Sequence, residues 1–474
     1  MWAKSQQSEI LPMKFLKPFL HRLIAMPIVG VVYETCRGFC KNLNKSIAIV
    51  LVMQGALLSQ ELLHVSIKGV EVPVVFEQST ALPIVSLQLV MQVAGSVEDG
   101  DTSGLTRFVA GVLGEGTQGL GAVGFAKELE QRAINLTVNA GTETLVFELG
   151  ALKEQFAYGI EKLKGLLSTP NFTKESVEKV RLMTLGNLSR RESDFDYVAS
   201  TALRGLLFEG TPLAHPGLGT PQSVRTISLG QVKTFFQGHM DLSNAIVVIG
   251  GDLSREEAMA HARSVLEGLP VGEKRTLPYA QVRATPKTTI IHKPSEQAYV
   301  YFGAPFYLES GDPEAYKARV AAFILGESGF GSRLMEEIRV KRGLAYSAYG
   351  RVTINRSSSK FSGHLQTKNE NKEEAMGLVR EVVSQFVATG VTEAELAQAK
   401  RFLLGSEPLR TETLSQRLSR AFFEYYRGFE LGYSKAQLAM IEELSLEELN
   451  AFIARHGEIM ELSFAVVTNV DAAR

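Results

Sequence analysis

Beyond residue 60 the apolar positions change period repeatedly, and the changes come twice in the same order. In the first series a strand-like run, PIVSLQLVMQVAGS, is followed by acidic residues and then by a helical stretch ending VLGEGTQGLG. Residues 122–133 (AVGFAKELEQRA) keep helical spacing, LTVNAG and ETLVFELG alternate as the arms of a hairpin, and LKEQFAYGIEKLKGLLS returns to helix. The helical stretches KESVEKVRLMTLGNLSRRE and ASTALRGLLF follow, and the β-branched run AIVVIGGD near Ala245 closes the series. GDLSREE, just past it, is a helix cap in which Asp252 or Ser254 leads into Glu256 and Glu257.

In the second series QAYVYFGAPFYLES, GDPE and a helix ending ILGESGFGSR take the same places. AYSAYGRVTI and KFSGHLQTK read as strands, EEAMGLVREVVSQFV, EAELAQAKRFLLG and SQRLSRAFFEYYRGF as helices, and SFAVVTNVD near Ser463 as the closing strand. Leu113-Gly114-Glu115 and Leu325-Gly326-Glu327 are equivalent points, at an offset of about 210 residues, too long for a solenoid repeat and fitting a duplicated domain. Strand pairs followed by runs of helices predict an α+β fold of two homologous halves, each an antiparallel sheet with helices packed on one face. The first half is expected over residues 61–270 and the second over 289–474, joined by a proline-bearing linker at 271–288.

The stretch before the repeat follows another pattern. Residues 46–59, SIAIVLVMQGALLS, are almost wholly apolar, with Lys41 and Lys45 ahead and Gln60 and Glu61 behind. A basic flank, an apolar run of about a dozen residues and a small-residue end match a secretory signal. The run falls short of the roughly 20 residues of a spanning helix. A second semi-apolar patch, PFLHRLIAMPIVGVVY, precedes it, which leaves an internal start such as Met13, a membrane anchor or a buried core strand as further readings. Residues 1–60 are thus expected to be a targeting or anchoring segment, with cleavage near Ser59.

Composition adds little to this plan. Lys and Arg total 50 against 51 Asp and Glu, and no basic stripe interleaves with aromatics, so nothing draws the chain to nucleic acid, and membrane contact is expected only through the N-terminal segment. Cys36 and Cys40 are the only cysteines, so the two halves tolerate an oxidising or a reducing compartment. None of the eight histidines has another three or four residues away, and no Gly-x-Ser-x-Gly elbow, phosphate loop or dinucleotide fingerprint is present.

Candidate chemistry gathers in residues 329–350, GFGSRLMEEIRVKRGLAYSAYG. Gly329 and Gly331 punctuate a turn, Leu334, Ile338 and Lys341 have helical spacing, and Gly343 stops the helix before a tyrosine-rich strand. This arrangement brings Arg339 and Tyr346 within reach of one another; a fixed guanidinium and a phenol together can hold a peptide carbonyl oxygen. The competing view makes Arg339 one solvated cation among Lys341 and Arg342, and Tyr346 a strand aromatic.

The segment resembles the second half of pitrilysin/insulinase-type zinc metallopeptidases, in which an Arg and a Tyr with six residues between them bind substrate near the scissile bond. The likeness extends over residues 61–474 through GLTRFVAGVLGEGT, HPGLGT around His215, AIVVIGGDL and SRLMEEIRVKRGLAYS. Active members carry Gly-Leu-x-His-x-x-Glu-His followed by Gly-Thr, two imidazoles binding zinc and the Glu acting as base. Here Gly104-Leu105 and Gly116-Thr117 keep the setting, while Arg107, Ala110 and Gly111 stand at the ligand, base and ligand positions. Asn187, in LGNLSRRESD, stands where the family's third ligand, a Glu, belongs.

The resemblance therefore implies a subunit with no metal of its own and no complete catalytic set. It would pair as a heterodimer with a homologous zinc-bearing subunit, zinc being expected in that partner, and position an extended peptide with Arg339 and Tyr346. An exported, periplasmic place fits this reading. The alternative is a fold-retaining scaffold or peptide-binding protein, of the kind represented by core-like subunits of respiratory complexes.

Overall fold

The structure is a computed structural model that describes residues 60–469. The expected export segment, with Cys36 and Cys40, lies outside the described residues.

A hairpin opens the first half: β1 (Glu61–Ile67) and β2 (Val70–Gln78) pair across Lys68 and Gly69, both at positive φ, as a tight hairpin turn demands. Next come β3 (Ile84–Gln92), α1 (Leu105–Leu113), α2 (Gly121–Glu130), β4 (Asn135–Ala140) and β5 (Thr144–Leu152). Helices α3 (Lys153–Ser168), α4 (Lys174–Arg191), α5 (Phe195–Leu207), α6 (Pro221–Thr226) and α7 (Leu229–His239) follow, then β6 (Ala245–Gly251) and α8 (Arg255–Leu266). Ser254 is the residue that caps α8, its hydroxyl accepting from the Glu257 amide. From 270 to 287 the chain forms neither helix nor strand, yet Val282 is buried and the amides of Ala280 and Arg283 donate to the carbonyls of Ser357 and Leu207.

The second half repeats the order with β7 (Thr288–His292), β8 (Gln297–Pro305) and α9 (Ala315–Ala322), which widens into a π-helical turn at Phe323–Glu327. The short α10 (Arg333–Met335) likewise widens into a π-helical turn at Glu336–Val340. β9 (Ala345–Ile354), β10 (Ser359–Lys368), α11 (Lys372–Thr389), α12 (Glu393–Gly405), α13 (Leu414–Tyr426), α14 (Tyr433–Glu443), α15 (Leu446–Arg455) and β11 (Ser463–Thr468) complete it.

The strand orders are β1-β2-β6-β3-β5-β4 and β7-β11-β8-β10-β9. With β1 set aside the two match strand for strand, so the duplication seen in the sequence is a duplication of topology. Each sheet is antiparallel except for one parallel pair at the same place, β2 with β6 and β7 with β11.

One face of each sheet packs on its own helices. Leu87, Leu89, Phe147 and Val247 sit in the first core, and Val300, Phe302, Phe361 and Phe464 in the second. The opposite faces are covered by exchange. Helix α13, from the second half, lays Leu418, Ala421 and Phe422 on Val75, Val90, Ile246 and Val248 of the first sheet. Helix α5, from the first half, lays Leu203 and Leu207 beside Tyr301 and Ala465 of the second. Central strands β6 and β11 are thus buried on both sides, which is why they read as unbroken apolar runs rather than alternating ones. Helices packed on one face describe only the core side; the exchanged helices make each half depend on the other.

Candidate functional site

Helix α1 is anchored at its start by the buried Asp99. Its carboxylate accepts the Gly104 amide, the Thr106 amide and the Thr106 hydroxyl, each at 2.7 Å, so two backbone donors at the start of the helix are satisfied by it. Burial raises the Asp99 carboxyl above its ordinary value, against the pull of those bonds.

Along α1, Arg107 and Gly111 face outward one turn apart, while Ala110 is buried at 6% exposure. A Cβ added at Gly111 would stand 2.9 Å from the Val180 side chain of α4. The space a histidine would need at its root is therefore taken. Further along α4 the Asn187 carboxamide accepts the Arg191 Nε at 3.3 Å. Arg107 and Asn187 do share a cavity, of 380 Å³, with Arg191 and Arg204. These residues do not fit zinc: a guanidinium, a methyl, a hydrogen and a carboxamide stand where two neutral imidazoles and two carboxylates would be required, and three guanidinium charges repel a divalent ion.

The second sheet presents the Arg339–Tyr346 pair. Arg339 sits in the π-helical turn that ends α10, a local widening often found at functional sites. Gly343, at φ 63°, turns the chain back, and its amide donates to the Arg339 carbonyl at 3.0 Å. Tyr346 then falls in a β-bulge: β9 spends Ala345 to Ala348 where β10 spends only Thr367 to Leu365, and the extra residue re-aims the side chain at the free edge of the sheet.

The Arg339 guanidinium lies 4.6 Å from the Tyr346 ring centroid and 4.5 Å from that of Phe330, a cation held against two aromatic faces. Tyr346 is 81% exposed and Phe330 69%. Lys341 and Arg342 are both paired with Glu337, so they are not equivalents of Arg339. Phe330 carries no signal in the sequence beyond its place in a glycine turn; only the fold puts it on the other side of the guanidinium.

A second cavity, of 500 Å³, shares Ser200 and Arg204 with the first. Its floor is the polar face of the second sheet, where the His364 ring stacks with Tyr301 at 5.2 Å and packs against Tyr349 at 5.5 Å. Burial holds the His364 imidazole below its usual value. Lys360, on the same face, is brought down to about 8 by burial and by the charges of Arg204 and Arg351. Neither Arg339 nor Tyr346 lines these cavities. The structure thus brings Arg339 to Tyr346 and Arg107 to Asn187, and adds Arg191, Arg204, Arg351 and Lys360, whose convergence nothing in their spacing announces.

Comparison with known proteins places these observations. The family model described as insulinase (peptidase family M16) matches residues 73–220, and that described as the peptidase M16 inactive domain matches residues 226–403. A Helicobacter pylori protein named "Non-peptidase homolog YmxG" is 42% identical over 423 residues, 89% of this chain and 98% of that protein. A Mycobacterium tuberculosis protein named "Uncharacterized zinc protease Rv2782c" is 25% identical over 375 residues, 76% of this chain and 83% of that one. Among solved structures, a peptidase M16 inactive domain from Pseudomonas fluorescens superposes with a TM-score of 0.80 at 25% identity, covering 87% of this chain and 99% of that chain. A protease from Helicobacter pylori shares the fold, with a TM-score of 0.75 at 16% identity over 86% and 100% of the two chains.

Proposed function

Because this chain belongs to the insulinase family of peptidases, family M16, we propose that it is a non-peptidase subunit that pairs with a zinc-bearing homologue and holds an extended peptide for that partner to cleave. The observation that carries the reading is a contrast within one molecule. The four positions of the metal site hold no imidazole and no carboxylate, while Arg339, half-buried, and Tyr346, exposed, are together and unpaired with any carboxylate among the described residues. A surface guanidinium kept between two open aromatic rings is a preorganised donor, available to a ligand arriving from outside.

In this role Arg339 donates to the carbonyl oxygen of the bound peptide, and the Tyr346 hydroxyl donates beside it. Both orient the carbonyl and stabilise the negative charge that develops on it during hydrolysis. Hydrolysis itself belongs to the partner. The chain alone is expected to show no peptide cleavage, and the reconstituted pair to cleave. In the pair, Arg339→Ala and Tyr346→Phe each lower turnover by about 10²- to 10³-fold with assembly unchanged. Full turnover in both variants removes the proposed role.

The name of the Helicobacter pylori relative equally suits a second reading, a peptide-binding scaffold without hydrolysis. That reading wins if the pair cleaves no faster than the partner alone. The proposal also places the pair outside the cytoplasm, with residues 46–59 as an export signal. N-terminal sequencing of the mature chain tests it, and a chain still beginning at Met1 in the cytoplasmic fraction refutes it. Among the described residues, no helix is long and apolar enough to cross a membrane.

A further inference from the structure

Charge and burial do not balance in the cleft. Arg107 from α1, Arg191 from α4 and Arg204 from α5 line the 380 Å³ cavity, and no Asp or Glu does. The adjoining 500 Å³ cavity adds Arg351 and Lys360, with Glu327 as the sole acid on its wall. The imbalance is local, since the whole chain carries 50 Lys and Arg against 51 Asp and Glu.

Several half-buried cations elsewhere in the molecule have carboxylate partners, Arg333 with Glu395 at 2.6 Å, Arg417 with Glu77 at 2.6 Å and Arg275 with Asp241 at 2.8 Å, while Arg339, Arg356 and Arg427 have none among the described residues. Among the described residues, none of the five cleft cations lies within ion-pair distance of a carboxylate. Arg191 only reaches Asn187 and the Tyr197 ring, and Lys360 only the Phe208 ring. Arg191 and Arg204 are half-buried and cannot shed their protons, while Arg107 and Arg351 are exposed, so the cleft presents a cationic lining open to an anion.

The shape of the site indicates which anion. Ala140, Gly141 and Thr142, at the end of β4, form part of the same wall. β4 is the edge strand of the first sheet and runs beside α1, so its outer peptide groups are free to pair with an extended chain. A peptide lying there carries its side chains, or its end, into a pocket of planar guanidinium forks, which match a carboxylate in geometry and charge.

We infer that this cavity receives a carboxylate of an extended peptide paired along β4, with Arg107, Arg191 and Arg204 as its donors. The inference rests on reading the cleft as a peptide path, and it names the substrate class: acidic segments, or chain ends. The position that holds a zinc ligand in active relatives has become, in Arg107, part of a carboxylate receptor.

Binding to the isolated chain tests this without any partner. Three fluorescent peptides share one serine-valine backbone: one with internal glutamates and an amidated end, one neutral with a free C-terminus, one neutral and amidated. Either the first or the second is expected to bind about ten- to a hundredfold more tightly than the third, and which one does identifies the source of the carboxylate. Arg107→Gln with Arg204→Gln removes that preference while the neutral amidated peptide binds as before, and Arg204→Glu moves the preference towards a lysine-bearing peptide. Equal binding of all three peptides, a preference that survives the double substitution, or inorganic phosphate binding as tightly as the best peptide overturns the inference. Because cleavage by the pair is a separate readout, loss of the charge preference with retained dependence on Arg339 and Tyr346 defeats this inference alone, and the reverse result defeats the proposed function alone.

Discussion

At the scale of single residues, Gly111, which the family resemblance sets at a metal-ligand position, is closed by packing rather than merely substituted. Alanine at an exposed helical glycine ordinarily gains about 0.5–1 kcal/mol. Gly111→Ala is expected to gain nothing or to lose stability, because its new Cβ meets Val180 at 2.9 Å. In a Val180→Ala background the ordinary gain should return, as read by urea unfolding; the usual gain in both backgrounds refutes the packing argument. Lys360 gives a second test, through pH. Its folded value of about 8 lies below the unfolded 10.5, so between those values the unfolded chain binds more protons and stability rises with pH. The groups around it are Arg204, Arg351, His364 and Glu327. Lys360→Met is therefore expected to melt above the wild type at pH 7, with the difference closing as pH climbs from about 8 towards 10.5. A gap independent of pH refutes it. The Arg339–Tyr346 encounter is legible in the chain because a turn glycine and a six-residue interval join them locally. The cleft cations are not, because Arg107, Arg204 and Lys360 come from α1, α5 and β10 and meet only through long-range packing.

At the scale of elements, the exchanged helices decide stability. Arg417 on α13 donates to Glu77 on β2, whose side chain has no exposure, and Gln60 donates to the same carboxylate. Removing Arg417 leaves a buried carboxylate short of its cation, so Arg417→Met is expected to cost about 3 kcal/mol in chemical unfolding. Adding Glu77→Gln should recover most of that loss, and simple additivity of the two changes refutes the coupling. Most helices and strands are readable from period alone, since propensity, capping and amphipathic spacing act within a few residues. The π-helical turns at Phe323–Glu327 and Glu336–Val340 are not readable, because they answer to packing: Gly326 at the first lies against the Gly350 backbone of β9, closer than any side chain permits. β1 also escapes the comparison of the two series, having no counterpart in the second half. The parallel pairs β2–β6 and β7–β11 are equally silent in sequence, since their partners lie far apart along the chain.

At the scale of the whole molecule, the exchange of α5 and α13 makes two homologous halves one structural unit. Each sheet needs the other half's helix to cover the apolar residues of its outer face. Residues 60–469 are therefore expected to unfold in a single calorimetric transition, and either half expressed alone to aggregate; two separated transitions refute this. Under the proposed pairing, motion on peptide binding falls between this chain and the zinc-bearing homologue rather than between its halves. The sequence by itself determined the α+β class, the duplication, the identities of residues 107, 110, 111 and 187 and the spacing of Arg339 and Tyr346, because each is written in local periodicity or in residue identity at a fixed interval. Only the tertiary structure decided that Val180 closes the space at Gly111, that each half roofs the other's sheet, and that five cations converge with Glu327 as the one acid beside them. Those facts depend on side chains distant in sequence meeting in a shared interior, where burial and charge are properties of the assembled fold rather than of any segment.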